Sequence, residues 1–200
     1  MRPLSLACGT VLLSILSLTA HASPITMTET LTASGFLGSS FSNQTVTLTG
    51  IGDTSNVTLF APGIYILNLS SATVQVGAGP VATFTAGIYA FDNQSSSATG
   101  LTQLVPALGD IVDTIGVPGF ATYALNSSIT GTGNTSINTV DLFPTSAGNF
   151  DFTSFGSTTT FTATVSPSAT PEPSSLALLA TGILGIAETA RRKNRASQSL

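Results

Sequence analysis

Asp110 and Asp113 are the closest pair of carboxylates along the chain. Two carboxylates at the right separation can hydrolyse a glycosidic bond, one as the acid and the other as nucleophile or base. Asp and Asn side chains in loops also supply the hard oxygen ligands that Ca²⁺ requires, although no EF-hand spacing accompanies them here. The residues that fit this second chemistry are Asp53, Asn56, Asp92, Asn93, Asp110 and Asp113.

The simplest interpretation of these carboxylates is that they are solvated turn residues or helix caps. Sites that act on sugars hold them with aromatic rings and hydrogen-bond donors, and the chain has no Trp and only three Tyr. We therefore predict no catalytic residue, no cofactor and no defined metal site. In the calcium alternative, Asp110 and Asp113 are the ligands.

The positions of the basic residues exclude several other functions. The whole stretch from Ser23 to Ala169 contains seven carboxylates and no Lys, Arg, His or Cys. Without cations the domain cannot displace the counterions of nucleic acid, so no nucleic-acid partner is expected. Disulfides, Cys/His zinc sites, a Ser-His-Asp triad and a Ser-Lys dyad are excluded by the same inventory. The five basic residues are Arg2, Arg191, Arg192, Lys193 and Arg195.

The elements that must position any site are predicted to be strands. Residues 23–165 are rich in Thr, Ser, Val, Ile, Phe, Gly and Asn, and they alternate apolar with polar positions. About ten short strands with turn residues between them predict an all-β, antiparallel β-sandwich or jelly-roll-like domain. The segment Leu101–Ile115 is expected to be a long connection with one helical turn, and Gly50–Asp53 a turn. The predicted strands are Ile25–Leu31, Thr45–Thr49, Val57–Phe60, Gly63–Leu69, Ala72–Val76, Val81–Phe84, Gly87–Phe91, Phe120–Leu125, Ile137–Phe143 and Thr158–Val165.

A run of phenylalanines near the end of this domain has two interpretations. Exposed rings would form a contact patch for carbohydrate or protein, whereas buried rings would fill the core of a domain that lacks Trp. Strand alternation in Phe150-Asp151-Phe152 and around Phe161 favours the core. The run consists of Phe143, Phe150, Phe152, Phe155 and Phe161.

Both ends of the chain carry export features. Met1-Arg2-Pro3 is a basic start, Leu4–Leu18 is apolar, and Ala20-His21-Ala22 is a signal-peptidase site that predicts cleavage between Ala22 and Ser23. Residues 1–22 are therefore predicted to be a signal helix. At the other end, residues 166–173 form a Pro/Ser-rich linker that contains Pro171, Glu172 and Pro173.

The last segments predict a membrane helix with a basic stop. Ser174–Ala190 would span about 25 Å as a helix, slightly less than a hydrocarbon core of about 30 Å. The basic cluster in residues 191–200 should remain cytoplasmic, which leaves the preceding domain, here called the ectodomain, outside the inner membrane. That cluster consists of Arg191, Arg192, Lys193 and Arg195. A permanent C-terminal anchor is the alternative to transient insertion.

The order of these three blocks resembles the PEP-CTERM sorting signal of Gram-negative exported proteins. Pro171, Glu172 and Pro173 match its recognition motif, residues 176–187 its apolar segment, and Arg191 to Lys193 its basic terminus. The resemblance implies that an exosortase processes the tail near the motif, after which the protein reaches the cell surface. It also implies an association with exopolysaccharide and biofilm matrix, but it transfers no activity to the ectodomain.

The sequence therefore predicts a non-enzymatic, exported structural protein of the cell surface or matrix. Its expected partners are signal peptidase, an exosortase, the inner membrane during transit, and exopolysaccharide. A carbohydrate-binding module, with or without a calcium site, is the alternative. An exported glycoside-active enzyme that uses an Asp pair is the third hypothesis.

Overall fold

A computed structural model describes residues 23–104, 109–137 and 141–167, together with positions 179, 182 and 183. Contacts divide the chain into two compact units, residues 1–168 and residues 169–200. All the strands and the whole hydrophobic core described below belong to the first unit. We therefore expect the ectodomain to fold without the C-terminal unit.

The ectodomain is built from strands of very different lengths. Within the described residues, two 3-10 turns, Thr54–Asn56 and Pro118–Thr122, interrupt them. The strands are β1 (Pro24–Leu37), β2 (Ser39–Asp53), β3 (Val57–Ala61), β4 (Ile64–Asn68), β5 (Ser71–Val76), β6 (Ala82–Thr83), β7 (Tyr89–Asn93), β8 (Ala98–Gln103), β9 (Gly109–Ile115), β10 (Ile129–Ile137), β11 (Phe143–Thr145) and β12 (Gly148–Val165).

The strands form one antiparallel sheet in the order β3-β4-β7-β8-β9-β10-β12-β1-β2-β5-β6, and β11 pairs with β12. The sheet curls strongly into a half-barrel, because Phe84, just after β6, forms a bridge with Thr145 in β11. Two backbone hydrogen bonds flank this bridge, from Thr85 N to Pro144 O at 3.0 Å and from Ser146 N to Thr83 O at 2.8 Å. The all-β, antiparallel prediction is confirmed. In place of the two sheets of a sandwich, the structure has one sheet that encloses its own core.

The enclosed face carries the apolar half of each alternating pattern. In β1 every second residue from Ile25 to Ala33 is buried, and Glu29 falls on this buried face. Four rings of the phenylalanine run, Phe143, Phe150, Phe152 and Phe161, are fully buried, so the core interpretation is confirmed for them. Phe155 is the exception, since it remains 42 % exposed on β12.

Two glycines let β2 and the end of β4 approach closely. A Cβ added to Gly50 would lie 2.6 Å from Leu69 Cδ1, and one added to Gly52 would lie 2.9 Å from Leu67 Cδ2. A hydrogen bond of 2.8 Å from Ser70 N to Ile51 O fixes the same contact. The curl of the sheet therefore depends on positions in β2 that carry no side chain.

Three local predictions were wrong, and one strand was not predicted. Leu101–Ile115 is not one long connection, because Leu101, Ile111 and Val112 lie in the paired strands β8 and β9. Gly50–Asp53 continues β2 instead of turning, and Phe120 lies in a 3-10 turn instead of a strand. Strand β10 was missed, since its Thr/Gly/Asn sequence has few apolar residues. It is held by pairing with β9 and β12.

The predicted signal helix and the predicted membrane helix lie outside the described residues, apart from the three isolated positions of the latter. Within the part of the chain that the structure describes, no helix is long and apolar enough to cross a membrane.

Candidate functional site

The outer side of β3, β4, β7, β8 and β9 carries a shallow groove of about 200 Å³. One side of the groove is apolar, and Phe60 at its edge is 65 % exposed. Strand pairing brings the polar residues together, because Thr102 on β8 lies opposite Asp110 on β9. The lining residues are Phe60, Ile64, Ile66, Phe91, Asn93, Thr102, Leu104 and Asp110.

A β-bulge places the two predicted candidates, Asp110 and Asp113, on the same face of β9. Leu101 pairs with Val112 but the next residue, Thr102, pairs with Asp110, so Ile111 is the extra residue of a bulge. Ile111 and Val112 both point into the core and are fully buried. The extra residue resets the alternation of side chains. Asp110 and Asp113, which flank Ile111 and Val112, therefore both project from the outer face of the sheet.

The two aspartates differ in burial. Asp110 is exposed at the groove, while Asp113 is only 8 % exposed. Burial raises the pKa of Asp113 to about 8, the Asp110 charge adds to this rise, and a hydrogen bond with Ser136 opposes it. Burial also raises the pKa of Asp110, against a hydrogen bond from the Thr102 hydroxyl. The prediction that these carboxylates are solvated turn residues is therefore wrong for Asp113.

A third carboxyl group, Glu29, extends from β1 across the core to β8 and β9. It has no exposed surface, and its Oε1 accepts a hydrogen bond of 3.1 Å from the Thr114 hydroxyl. Burial raises the pKa of Glu29 well above its ordinary value, and the Asp113 and Asp110 charges raise it further. Hydrogen bonds from Thr114 and from the Leu101 N–H act in the opposite direction. Sequence reasoning missed this group, although its place on the apolar side of β1 signalled burial.

Asp92 on β7 is also fully buried, on the same enclosed face. Neither of its carboxyl oxygens has a hydrogen-bond partner among the described residues. Burial raises the pKa of Asp92 to about 7. Burial also raises the pKa of the Tyr123 hydroxyl, and the negative charge of Asp92 raises it further. Asp92 is thus a core residue, and not a loop residue as the calcium alternative had it.

Asp53, in contrast, behaves as the turn interpretation predicts. It ends β2, and its Oδ1 accepts hydrogen bonds from the Ser55 backbone N at 2.8 Å and the Ser55 hydroxyl at 2.7 Å. These bonds lower the pKa of Asp53. Among the described residues, no group of three or more Asp, Glu, His or Cys side chains is arranged to hold a metal ion.

The predicted export residues can be placed only in part. Pro171, Glu172, Pro173, the basic cluster from Arg191 to Arg195, and the cleavage residues Ala20 and Ala22 lie outside the described residues. Ser23, the first residue after the predicted cleavage, is partly exposed. Its backbone N donates a hydrogen bond of 3.3 Å to the Thr54 hydroxyl oxygen. The first strand of the described residues, β1, starts at Pro24, one residue after Ser23.

Comparison with known proteins identifies the C-terminal segment. Residues 169–195 match the PEP-CTERM protein-sorting motif. The expected PEP-CTERM tail is therefore confirmed, and this motif implies an exported protein that an exosortase processes and that is sorted to the cell surface. No curated protein and no solved structure matches the chain. The PEP-CTERM match covers the tail alone and leaves the family of the ectodomain unidentified.

Proposed function

We propose that this PEP-CTERM protein is a non-enzymatic, structural component of the cell surface or extracellular matrix, associated with exopolysaccharide. The observation that carries the proposal is the sorting motif at residues 169–195, which directs the ectodomain out of the cell. Signal peptidase removes residues 1–22, residues 174–190 pause in the inner membrane, and the exosortase acts near Pro171-Glu172-Pro173.

The distribution of polar groups on the sheet supports a structural role. The outer faces of β1, β2, β10 and β12 bear aligned threonines, for example Thr132, Thr160, Thr30 and Thr47 across four neighbouring strands. The hydroxyls of Thr132 and Thr160 lie 2.8 Å apart. The aligned threonines carry no charge, whereas Glu29 and Asp92 are enclosed in the core and out of reach of a substrate. Such a surface suits contact with neutral, hydroxyl-rich material.

Transport and processing can be tested by changing the motif. Replacement of Pro171, Glu172 and Pro173 by Ala should leave the unprocessed protein in the membrane fraction, because the exosortase no longer recognises its substrate. Pro167→Ala, in the same linker but outside the motif, is the control and should be exported normally. Equal surface display of both variants, measured by cell fractionation and immunoblotting, would refute exosortase sorting.

The groove favours a second candidate function, the binding of a neutral saccharide. It combines the exposed ring of Phe60 with hydrogen-bonding groups of Asn93, Thr102 and Asp110, which is the combination of apolar stacking and polar contacts that sugars use. Phe60→Ala should then weaken retention in affinity gels that contain a soluble neutral polysaccharide. Phe155→Ala removes another partly exposed ring and is the matched control. If wild-type protein is not retained by any neutral glycan tested, the structural role stands without this function.

A further inference from the structure

We infer that strand β3 pairs with β3 of a second copy of this chain, so that two ectodomains form a symmetric dimer. The inference goes beyond the proposed function, because a monomer could be exported and sorted equally well. It rests on where the sheet ends, on the side chains that β3 exposes, and on the way the sequence of β3 faces itself.

The two ends of the sheet differ in how they are covered. The path of the sheet ends at β6 and at β3. At the β6 end, Phe84 forms a bridge with Thr145, and Ser146 N donates a hydrogen bond of 2.8 Å to Thr83 O. Strand β3 pairs with β4 on one side, and no strand of the described residues pairs with it on the other. Such an edge presents main-chain donors and acceptors to another strand.

The side chains of β3 do not protect this edge. Its sequence, VTLFA, contains no charged residue and no proline, which are the residues that commonly prevent edge strands from pairing. Leu59 is 62 % exposed and Phe60 is 65 % exposed, the two highest values among the large apolar side chains that the structure describes. Neighbouring apolar side chains that are exposed at an open edge are typical of a protein contact surface.

The sequence of β3 is also complementary to itself. Two identical strands that pair antiparallel are related by a two-fold axis. When this axis passes beside Leu59, Leu59 lies opposite the same residue of the second copy, and Thr58 lies near its Phe60. Apolar pairs and pairs of a β-branched with an aromatic residue stabilise neighbouring strands. The bulge of β3 comes after Leu59, so Val57 to Leu59 keep the regular pairing with β4.

The same arrangement limits the assembly to two copies. Because β6 is covered, each ectodomain has one open terminal strand among its described residues, and pairing of β3 with β3 uses that strand in both copies. The contact is therefore closed, and it does not lead to a filament. Each copy has seven carboxylates and no basic side chain between residues 23 and 169, but none of these carboxylates lies on β3 or β4. No like charges therefore meet along the paired strands.

The first test is sedimentation velocity of the ectodomain, residues 23–168, in a dilution series. We expect a species of twice the monomer mass that dissociates on dilution. Leu59→Lys should raise the dimer dissociation constant at least about tenfold, because it places an ammonium group opposite its own copy. Val81→Lys is the matched control, since Val81 is 58 % exposed but lies beside β6, at the other end of the sheet. It should dimerise as wild type does, and both variants should keep the monomer fold because both side chains are exposed.

The second test is a disulfide across the two-fold axis. The ectodomain has no cysteine, so an introduced one is unique. Leu59→Cys should form disulfide-linked dimers under mild oxidation, because directly opposed residues of paired strands are close enough for such a bond. Val81→Cys should not form them.

The inference is overturned if the wild-type ectodomain is monomeric at every concentration, or if it forms species larger than a dimer. It is also overturned if Leu59→Lys dimerises as wild type does, or if Leu59→Cys and Val81→Cys cross-link equally. None of these outcomes affects the sorting function, which is measured by localisation.

Discussion

Glu29→Gln should make the ectodomain more stable at neutral and alkaline pH. Glu29 is fully buried, no basic side chain occurs in the ectodomain, and the nearby charged groups are Asp113 and Asp110. Ionisation of Glu29 therefore opposes folding. The amide of Gln has almost the same shape, and its oxygen can still accept the hydrogen bond from Thr114.

The sign of the pH effect follows from the direction of the pKa shifts. A carboxyl whose pKa is raised by folding contributes stability that is fully present below its unfolded pKa and is lost as the pH rises through its folded pKa. Each such group lowers the free energy of unfolding by about 1.4 kcal/mol per pH unit within that window. For Asp92 the window runs from 3.8 to about 7, and for Asp113 from 3.8 to about 8.

The assay is urea denaturation in EDTA at a series of pH values between about 4 and 8. Wild-type stability should fall as the pH rises, and Glu29→Gln should reduce that slope by up to about 1.4 kcal/mol per pH unit. Asp53→Asn is the matched carboxyl-to-amide control. The pKa of Asp53 is lowered, so its replacement should not flatten the fall near neutral pH. A wild-type stability that rises from pH 5 to pH 8, or an unchanged slope in Glu29→Gln, would refute the reasoning.

Two further predictions concern packing. Phe152→Ala should lower the free energy of unfolding by about 3–5 kcal/mol because it empties a fully buried site, whereas Phe155→Ala, at a 42 % exposed ring, should cost far less in the same urea titration. Gly50→Ala should destabilise by about 1–3 kcal/mol, since its Cβ would meet Leu69, while Gly87→Ala, with nothing within 4 Å, should change the melting temperature little. Equal effects within either pair would contradict the packing described here.

The strand content of the ectodomain could be predicted because alternation and β-branched residues are local signals. The alternating pattern of β1 even places Glu29 on the buried side, at an interval of two from Met27 and Leu31. A charged side chain such as that of Glu29 is nevertheless expected to face solvent. The burial of Glu29 depends on β8 and β9, whose Thr114 is 85 positions away, and no local pattern reports that contact.

The site on β9 could be predicted only as a pair of residues. Asp110 and Asp113 are three positions apart, which in a regular strand directs them to opposite faces. The bulge that reunites them arises from the pairing of Leu101 and Thr102 with β9, a long-range register that the sequence did not reveal. The single sheet likewise depends on long-range pairing that no local pattern reports, since β1 pairs with β12 at the other end of the ectodomain, for example Ile25 with Val165.

The intact mass of the protein recovered from the cell surface or the culture medium tests the central claim most directly. Exosortase processing predicts a chain that begins at Ser23 and ends near Pro171-Glu172-Pro173, without the apolar segment or the basic cluster. A surface-exposed protein whose mass still includes Arg191, Arg192 and Lys193 would contradict processing and indicate a permanent membrane anchor.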